Sequence, residues 1–345
     1  MKKVLLASTA LMGLAGAAAA EVSISGWAEM GIYGGGDDAT NGSAGETQFF
    51  QDLDVTFTLS GESDSGLSFG AVVDLDESNC DTTAGGCTPG AFSPRDDGGT
   101  HIFISGAFGT LTMGDTDGAL DWAVTENVGN PGSIADDETL HAGYNGNFAD
   151  GAYDGQVLRY DYSFESFSVA LSTEMDDSTA ATRDDSWGLG VKYALDLGGT
   201  TLNLGLGYQT FDAGAAGYSP GNLGDYGVTL FAAASEVDAV GASVDAAFGG
   251  GFSAGIAYTQ YSSNVAGEDT DHVGVSVGYE SGPMAIGVNY GEFDQDGTGS
   301  ASGWGVAAAY DLGGGLSVKA GYGDSDVDGV AGDFSNWSLG MAMSF

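Results

Sequence analysis

The sequence predicts an all-β chain, a transmembrane antiparallel β-barrel of about sixteen strands. Apolar residues recur at every second position through most of the chain, which is the period of a strand with one greasy face. The residues between them are small or polar. After the N-terminal leader no apolar run approaches the roughly eighteen residues that a spanning helix needs, so a membrane protein of this sequence has to be a barrel.

The leader comes first. MKKVLLASTALMGLAGAAAA sets Lys2 and Lys3 ahead of a short apolar stretch ending in small residues, the layout of a cleavable export signal. Cleavage after Ala20 leaves residues 21–345 as a single barrel domain. It removes two basic and no acidic residues, so the mature chain carries five basic against 49 acidic residues, a formal charge of −44. Such a charge excludes nucleic acid as a partner. Glycine at 61 positions and proline at 5 disfavour helices and Pro-rich linkers and suit strands joined by tight turns.

The alternation is sharpest at the C-terminus, where Trp337, Leu339, Met341, Met343 and Phe345 share one face and small residues the other. Leu53, Val55, Phe57 and Leu59 alternate with Asp52, Asp54, Thr56 and Thr58; Phe69, Ala71, Val73 and Leu75 alternate with Gly70, Asp74 and Asp76. A soluble sandwich with one wet face would alternate too, and two features argue against it. Tyr193, Tyr208, Tyr258, Tyr279, Tyr290, Tyr310 and Tyr322 each end an apolar stripe in phase with it, where an amphipathic ring meets lipid headgroups. The opposite face is too bare to fill a packed interior and suits a water-filled lumen.

Strands are expected near 21–33, 47–60, 66–77, 99–106, 109–116, 155–164, 166–175, 185–195, 200–211, 237–248, 252–263, 271–280, 283–293, 302–311, 315–324 and 335–345. Short turns such as 61–66, 281–282 and 312–315 alternate with longer loops such as 78–98, 117–154 and 212–236, the topology of an outer-membrane barrel. The segment DYGVTLFAAA at 225–234 could add a strand, which would allow eighteen. Around Trp27 the alternation slips by one residue, as at a bulge.

The mature start EVSISG, the hairpin VTFTLSGESDSGLSFGAVVD, the segment ISGAFGTLTMGD, the turn YDLGGG at 310–315 and the terminal Phe345 together resemble the porins of alphaproteobacteria, the Rhodobacter-like general-diffusion porins. The resemblance spans essentially 21–345 and implies a sixteen-stranded homotrimer in the outer membrane of a Gram-negative bacterium, set among membrane lipid and lipopolysaccharide. It also implies a third external loop folded into the lumen and a terminal aromatic, Phe345, read by the barrel-assembly machinery. The matching loop is 117–154, and Asp115, Asp117, Asp121, Glu126, Asp136, Asp137 and Glu138 are the acidic residues at or near it. The chain departs from the family in having few basic wall residues, so a strong transverse field across the constriction does not follow from the likeness.

Among the five mature basic residues, Arg159, Lys192 and Lys319 fall in lumen-facing phases. The phase is informative, because a lysine or arginine at the lipid-facing midplane costs roughly 2–4 kcal/mol. They either oppose the acidic loop to set pore width and polarity, or merely neutralise neighbours such as Asp161. Carboxylates of the wall and mouth, Glu29, Asp52, Asp54, Asp74 and Asp76, favour cations over anions. The expected function is passive diffusion of small hydrophilic solutes and ions with modest cation preference; a sugar-selective channel is the alternative.

No catalytic constellation stands out. His101, His141 and His272 are scattered and read as ordinary polar residues, and GxSxG is absent. No cofactor is expected beyond loosely bound Ca²⁺ at acidic loops. DSDVDG at 324–329 opens like an EF-hand, but Ser335 stands where that loop needs glutamate. Cys80 and Cys87, an even pair in an exported chain, are expected to form a disulfide. A secreted acidic calcium-binding protein or adhesin would share the composition but should show nonapeptide repeats, and none is found.

Overall fold

The computed structural model describes residues 21–35, 46–76, 99–134, 136, 138–149, 156–176, 183–297 and 299–345. The leader, Cys80, Cys87 and Asp137 lie outside the described residues. Sixteen strands are present: β1 Glu21–Gly35, β2 Gln48–Glu62, β3 Ser68–Asp76, β4 His101–Gly106, β5 Gly109–Gly114, β6 Val157–Phe164, β7 Phe167–Glu174, β8 Ser186–Asp196, β9 Thr200–Asp212, β10 Glu236–Phe248, β11 Phe252–Ser263, β12 Thr270–Ser281, β13 Met284–Gln295, β14 Gly299–Gly313, β15 Leu316–Val327 and β16 Asn336–Ser344. Each pairs with its chain neighbours, and β1 pairs antiparallel with β16 to close the barrel. Gly26 and Phe345 exchange backbone hydrogen bonds at this seam, 2.9 and 3.3 Å long.

Because side chains alternate across a strand, one face of every strand is outside and the other inside. Outside lie large apolar residues such as Ile24, Leu171, Leu206, Ile256 and Val277, each half or more exposed. A girdle of this size requires hydrocarbon around it. Toward the short-turn end Phe164, Phe167 and Tyr193 pack ring on ring, as do Phe252 and Tyr279. Toward the long-loop end the hydroxyls of Tyr208, Tyr258 and Tyr290 donate to Asp238, Asp271 and Glu292, each at 2.6 Å.

Three local expectations are corrected. The register of β1 against β2 and β16 runs unbroken through Trp27, so there is no bulge. The sequence breaks alternation here because Trp27, a large ring, points inward, with its ring centroid 4.9 Å from Lys319 Nζ. Residues 225–234 add no strand: they hold part of a 3-10 helix, Leu223–Tyr226, and one bridge from Phe231 to Tyr218. DSDVDG is no loop at its start, since β15 continues to Val327 and Ser325 turns inward, its hydroxyl accepting the Ala142 N–H at 3.0 Å.

Candidate functional site: the inner wall and the segment after β5

Beyond β5 the chain forms one helical turn, α1 Ala119–Ala123, whose Ala119, Leu120 and Ala123 are buried against β7, β8 and β9. The wall accepts it because its inner face is bare there: a Cβ on Gly190 would collide with the Ala119 carbonyl, and one on Gly207 with Leu120. Further along, Gly143 and Gly291 meet backbone to backbone, an approach that no residue with a side chain allows.

A segment without regular structure must satisfy its buried backbone groups elsewhere, at about 1–3 kcal/mol for each one left unpaired. Here the strands supply the partners. Ser172 Oγ accepts the Ala119 N–H at 2.8 Å, Ser243 Oγ the Thr125 N–H at 3.0 Å and Ser276 Oγ the Val128 N–H at 3.0 Å. Asn289 Nδ2 donates to the Thr139 carbonyl at 2.7 Å, and Ser338 Oγ to that of Ile134 at 3.1 Å. The segment thus touches the inner face from β7 round to β16.

Its two glutamates are anchors. Glu126, 4 % exposed, accepts the Asn145 N–H at 2.8 Å and lies 3.4 Å from His272 Nε2. Glu138, 2 % exposed, accepts from Ser133 Oγ. Burial pushes its carboxyl above the usual range, partly opposed by hydrogen bonds from Ser133 and Ser338. Burial likewise raises Asp136, which accepts the Ser133 N–H at 2.8 Å. Asp115 and Asp117 are exposed, while Asp121 is half-buried. The acidic residues expected together at a constriction therefore divide into surface carboxylates and buried fasteners.

The basic residues divide too. Arg159 Nη1 donates to the Asp117 carbonyl at 2.6 Å and lies 3.8 Å from its carboxylate, while Nε lies 3.7 Å from Asp161. Lys192 Nζ stands 4.1 Å from the ring centroid of Trp122 in α1. Lys319 is elsewhere, buried in an ion pair with Glu29 at 3.1 Å and donating to the Ser133 carbonyl at 3.3 Å. Next along the wall comes an acidic row: Glu29 is in register with Asp52, Trp27 with Asp54, and Asp54 with Asp76. Asp74 in the following rung accepts from Thr56 Oγ1 at 2.9 Å.

Sequence reasoning passed over the residues that hold the segment most tightly. His272, Asn145 and Tyr261 form a buried chain: Tyr261 OH donates to Asn145 Oδ1 at 2.8 Å, and His272 Nε2 lies 3.0 Å from the Gly143 carbonyl. The loop between β9 and β10 lies over the same segment. Asn222 Nδ2 donates to the Leu140 carbonyl at 2.5 Å and the Gly221 N–H to Asn147 Oδ1 at 2.9 Å. Phe148, Phe211, Phe231 and Tyr261 share one buried apolar cluster.

Comparison with known proteins agrees with this architecture. The family model described as Gram-negative porin matches residues 7–339. A porin of Rhodobacter capsulatus is 31 % identical over 318 residues, covering 89 % of this chain and 95 % of that one. Among solved structures, a refined porin superposes with a TM-score of 0.65 at 24 % identity, covering 94 % of this chain and all of that one. A loop-deletion form of OmpT, an outer membrane protein of Vibrio cholerae, gives 0.63 at 14 % identity over 94 % and 99 % of the two chains. A triple mutant of the Rhodopseudomonas blastica porin gives 0.61 at 18 % identity over 94 % and 100 %. With a closed barrel greasy outside and polar within, the chain belongs to the Gram-negative porin family and forms a diffusion channel through the outer membrane.

Proposed function

We propose that residues 117–154 fold into the lumen and narrow it, and that the channel passes small hydrophilic solutes and ions with a modest preference for cations. The observation that carries the reading is the hydrogen bonding of this segment to inner-face side chains from β7 to β16. A segment so held takes up lumen cross-section. Cation preference follows from charge: Asp52, Asp54, Asp74 and Asp76 line β2 and β3, and Arg159 on β6 shares its charge with Asp117 and Asp161. Fixed carboxylates raise the local cation concentration and repel anions. The reversal potential across a KCl gradient in a planar bilayer tests this, and one of the sign for anion preference would overturn it.

The same reading makes the protein a channel without enzymatic activity, assembled as a homotrimer among lipid and lipopolysaccharide after removal of residues 1–20. Phe345, 66 % exposed at the seam, is suited to recognition by the barrel-assembly machinery. A Cys80–Cys87 disulfide would staple the loop between β3 and β4; a thiol titration before and after reduction tests it. Weak Ca²⁺ binding at the acidic loops is open to calorimetric titration.

A further inference from the structure

Beneath α1, toward the short-turn end of the barrel, lies a recess of about 300 Å³ lined by Thr125, Ser166, Ser168, Lys192, Asn203 and Asp245 among others. Its lysine is unlike the other described basic residues. Arg159, Arg183 and Lys319 each stand within 4 Å of a carboxylate. Lys192 has the Trp122 ring on one side and, among the described residues, no carboxylate within that distance. Asp117, Asp121 and Asp161 act on it from further away. In a chain with 49 acidic residues, an ammonium beside an open cavity with no carboxylate in direct contact among the described residues is unexpected on charge grounds alone.

The opposite charge stands across the recess. Lys192 on β8 is in register with Gly205 and, through it, with Ser243 on β10. Asp245 lies two residues along β10, opposite Asn203, whose amide donates to Asp245 Oδ1 at 3.2 Å. The two backbones are roughly 10 Å apart across the sheet, and their side chains reach into the space between. Ala123 packs directly on Gly205, and the rest of the lining mixes the polar Thr125, Ser166, Ser168 and Asn203 with the apolar Ala194 and Leu204. A site with one ammonium, one carboxylate and an otherwise uncharged lining matches a solute carrying both charges close together.

Building on the channel reading above, we propose that this recess is a solute-binding station for small zwitterions of the amino-acid type. The carboxylate of the solute meets Lys192 and its ammonium meets Asp245. An acidic pore would otherwise retard any carboxylate, so Lys192 gives such solutes a resting place on the way through.

The test is liposome swelling with L-alanine and with lactamide, an uncharged molecule of nearly the same size, using the full-length mature protein and its Lys192→Met and Asp245→Asn variants. Entry of lactamide reports whether the protein is a channel at all. The ratio of the two rates, taken within each variant so that pore size cancels, reports the recess. In the unaltered protein L-alanine should enter about two- to fivefold faster, the scale of one partly exposed charge contact, and each variant should bring the ratio close to unity. A ratio of unity in the unaltered protein, or one that survives both substitutions, would overturn the proposal while leaving the channel reading intact. A ratio lost with Lys192→Met but kept with Asp245→Asn would overturn it as well, since the site would then select anions.

Discussion

His272 Nε2 lies 3.4 Å from Glu126 Oε1, joining strand β12 to the segment that follows β5. The neighbours assign every proton in this group. Nε2 faces two acceptors, Glu126 and the Gly143 carbonyl, so it carries the hydrogen; Nδ1 then accepts from Asn145 Nδ2 at 3.4 Å. Asn145 in turn donates its N–H to Glu126 and accepts from Tyr261. Replacing Glu126 by alanine leaves the buried Asn145 N–H without an acceptor and the His272 Nε2–H with the Gly143 carbonyl alone, at a cost of about 1–3 kcal/mol for the orphaned group. The expected result for Glu126→Ala is faster hydrogen exchange at residues 140–149 and a noisier single-channel current. Glu126→Gln, which keeps an acceptor, should fall in between. Unchanged exchange in Glu126→Ala would show that the network does not hold the segment.

Lys319 fastens the other end. Its ammonium is shared by Glu29, the Ser133 carbonyl and the Trp27 ring, with both charged side chains at least nine-tenths buried. Removing one partner of a buried pair costs about 3–5 kcal/mol, because the other charge is left without compensation. Lys319→Met should therefore destabilise the vesicle-inserted barrel to urea strongly, whereas the double variant Glu29→Gln with Lys319→Met should recover part of the loss. Equal loss in the single and double variants would mean that the pair is not coupled.

Much of this was legible in the sequence, and the exceptions have a common cause. Strand number, the two faces and the inward phase of Arg159, Lys192 and Lys319 all follow from period-two alternation, a local signal. What each inner residue touches is set by a segment far away in the chain. Ser276 and Asn289 look like any polar residue between glycines, and their partners lie 148 to 150 positions distant. Glu126 and Glu138 could not be told from Asp117 by composition, because burial and not residue type separates them. Trp27 misled for the opposite reason, being a large ring on the face reserved for small groups. Its position becomes intelligible only beside Lys319, far along the chain on β15.

Arg159 bears on permeation. Its contacts to Asp117 and Asp161 are long, 3.8 and 3.7 Å, so part of its field reaches the water of the pore. Arg159→Ala removes a positive charge from between Asp117 and Asp161 and should raise the cation preference. The change should be largest at low salt, because the Debye length falls from about 10 Å at 0.1 M to about 3 Å at 1 M. Reversal potentials in dilute and concentrated KCl gradients measure it. An unchanged value in dilute salt would mean that Asp117 and Asp161 already neutralise this side chain.

His141 makes the segment sensitive to acid. It is 1 % exposed, and both ring nitrogens are buried without a hydrogen-bond partner among the described residues. Burial pushes its pKa down from 6.5 to about 3. When the segment is released, the ring regains water and an ordinary pKa. Between those two values the released state binds more protons than the docked one, so docking weakens as pH falls through that window and is fully restored above it. The shift corresponds to at most roughly 5 kcal/mol. Glu138 and Asp136 act in the opposite direction, since burial raises them and acid relieves the cost of their ionised forms. His141→Phe isolates the histidine, keeping an aromatic ring in the same place with nothing to protonate. Single-channel records from pH 7 down to 4 should show current fluctuations growing in the unaltered protein and much less in His141→Phe. Equal growth in both would mean that His141 is not the source of the acid response, and its absence in both would mean that the wall holds the segment against a charged ring.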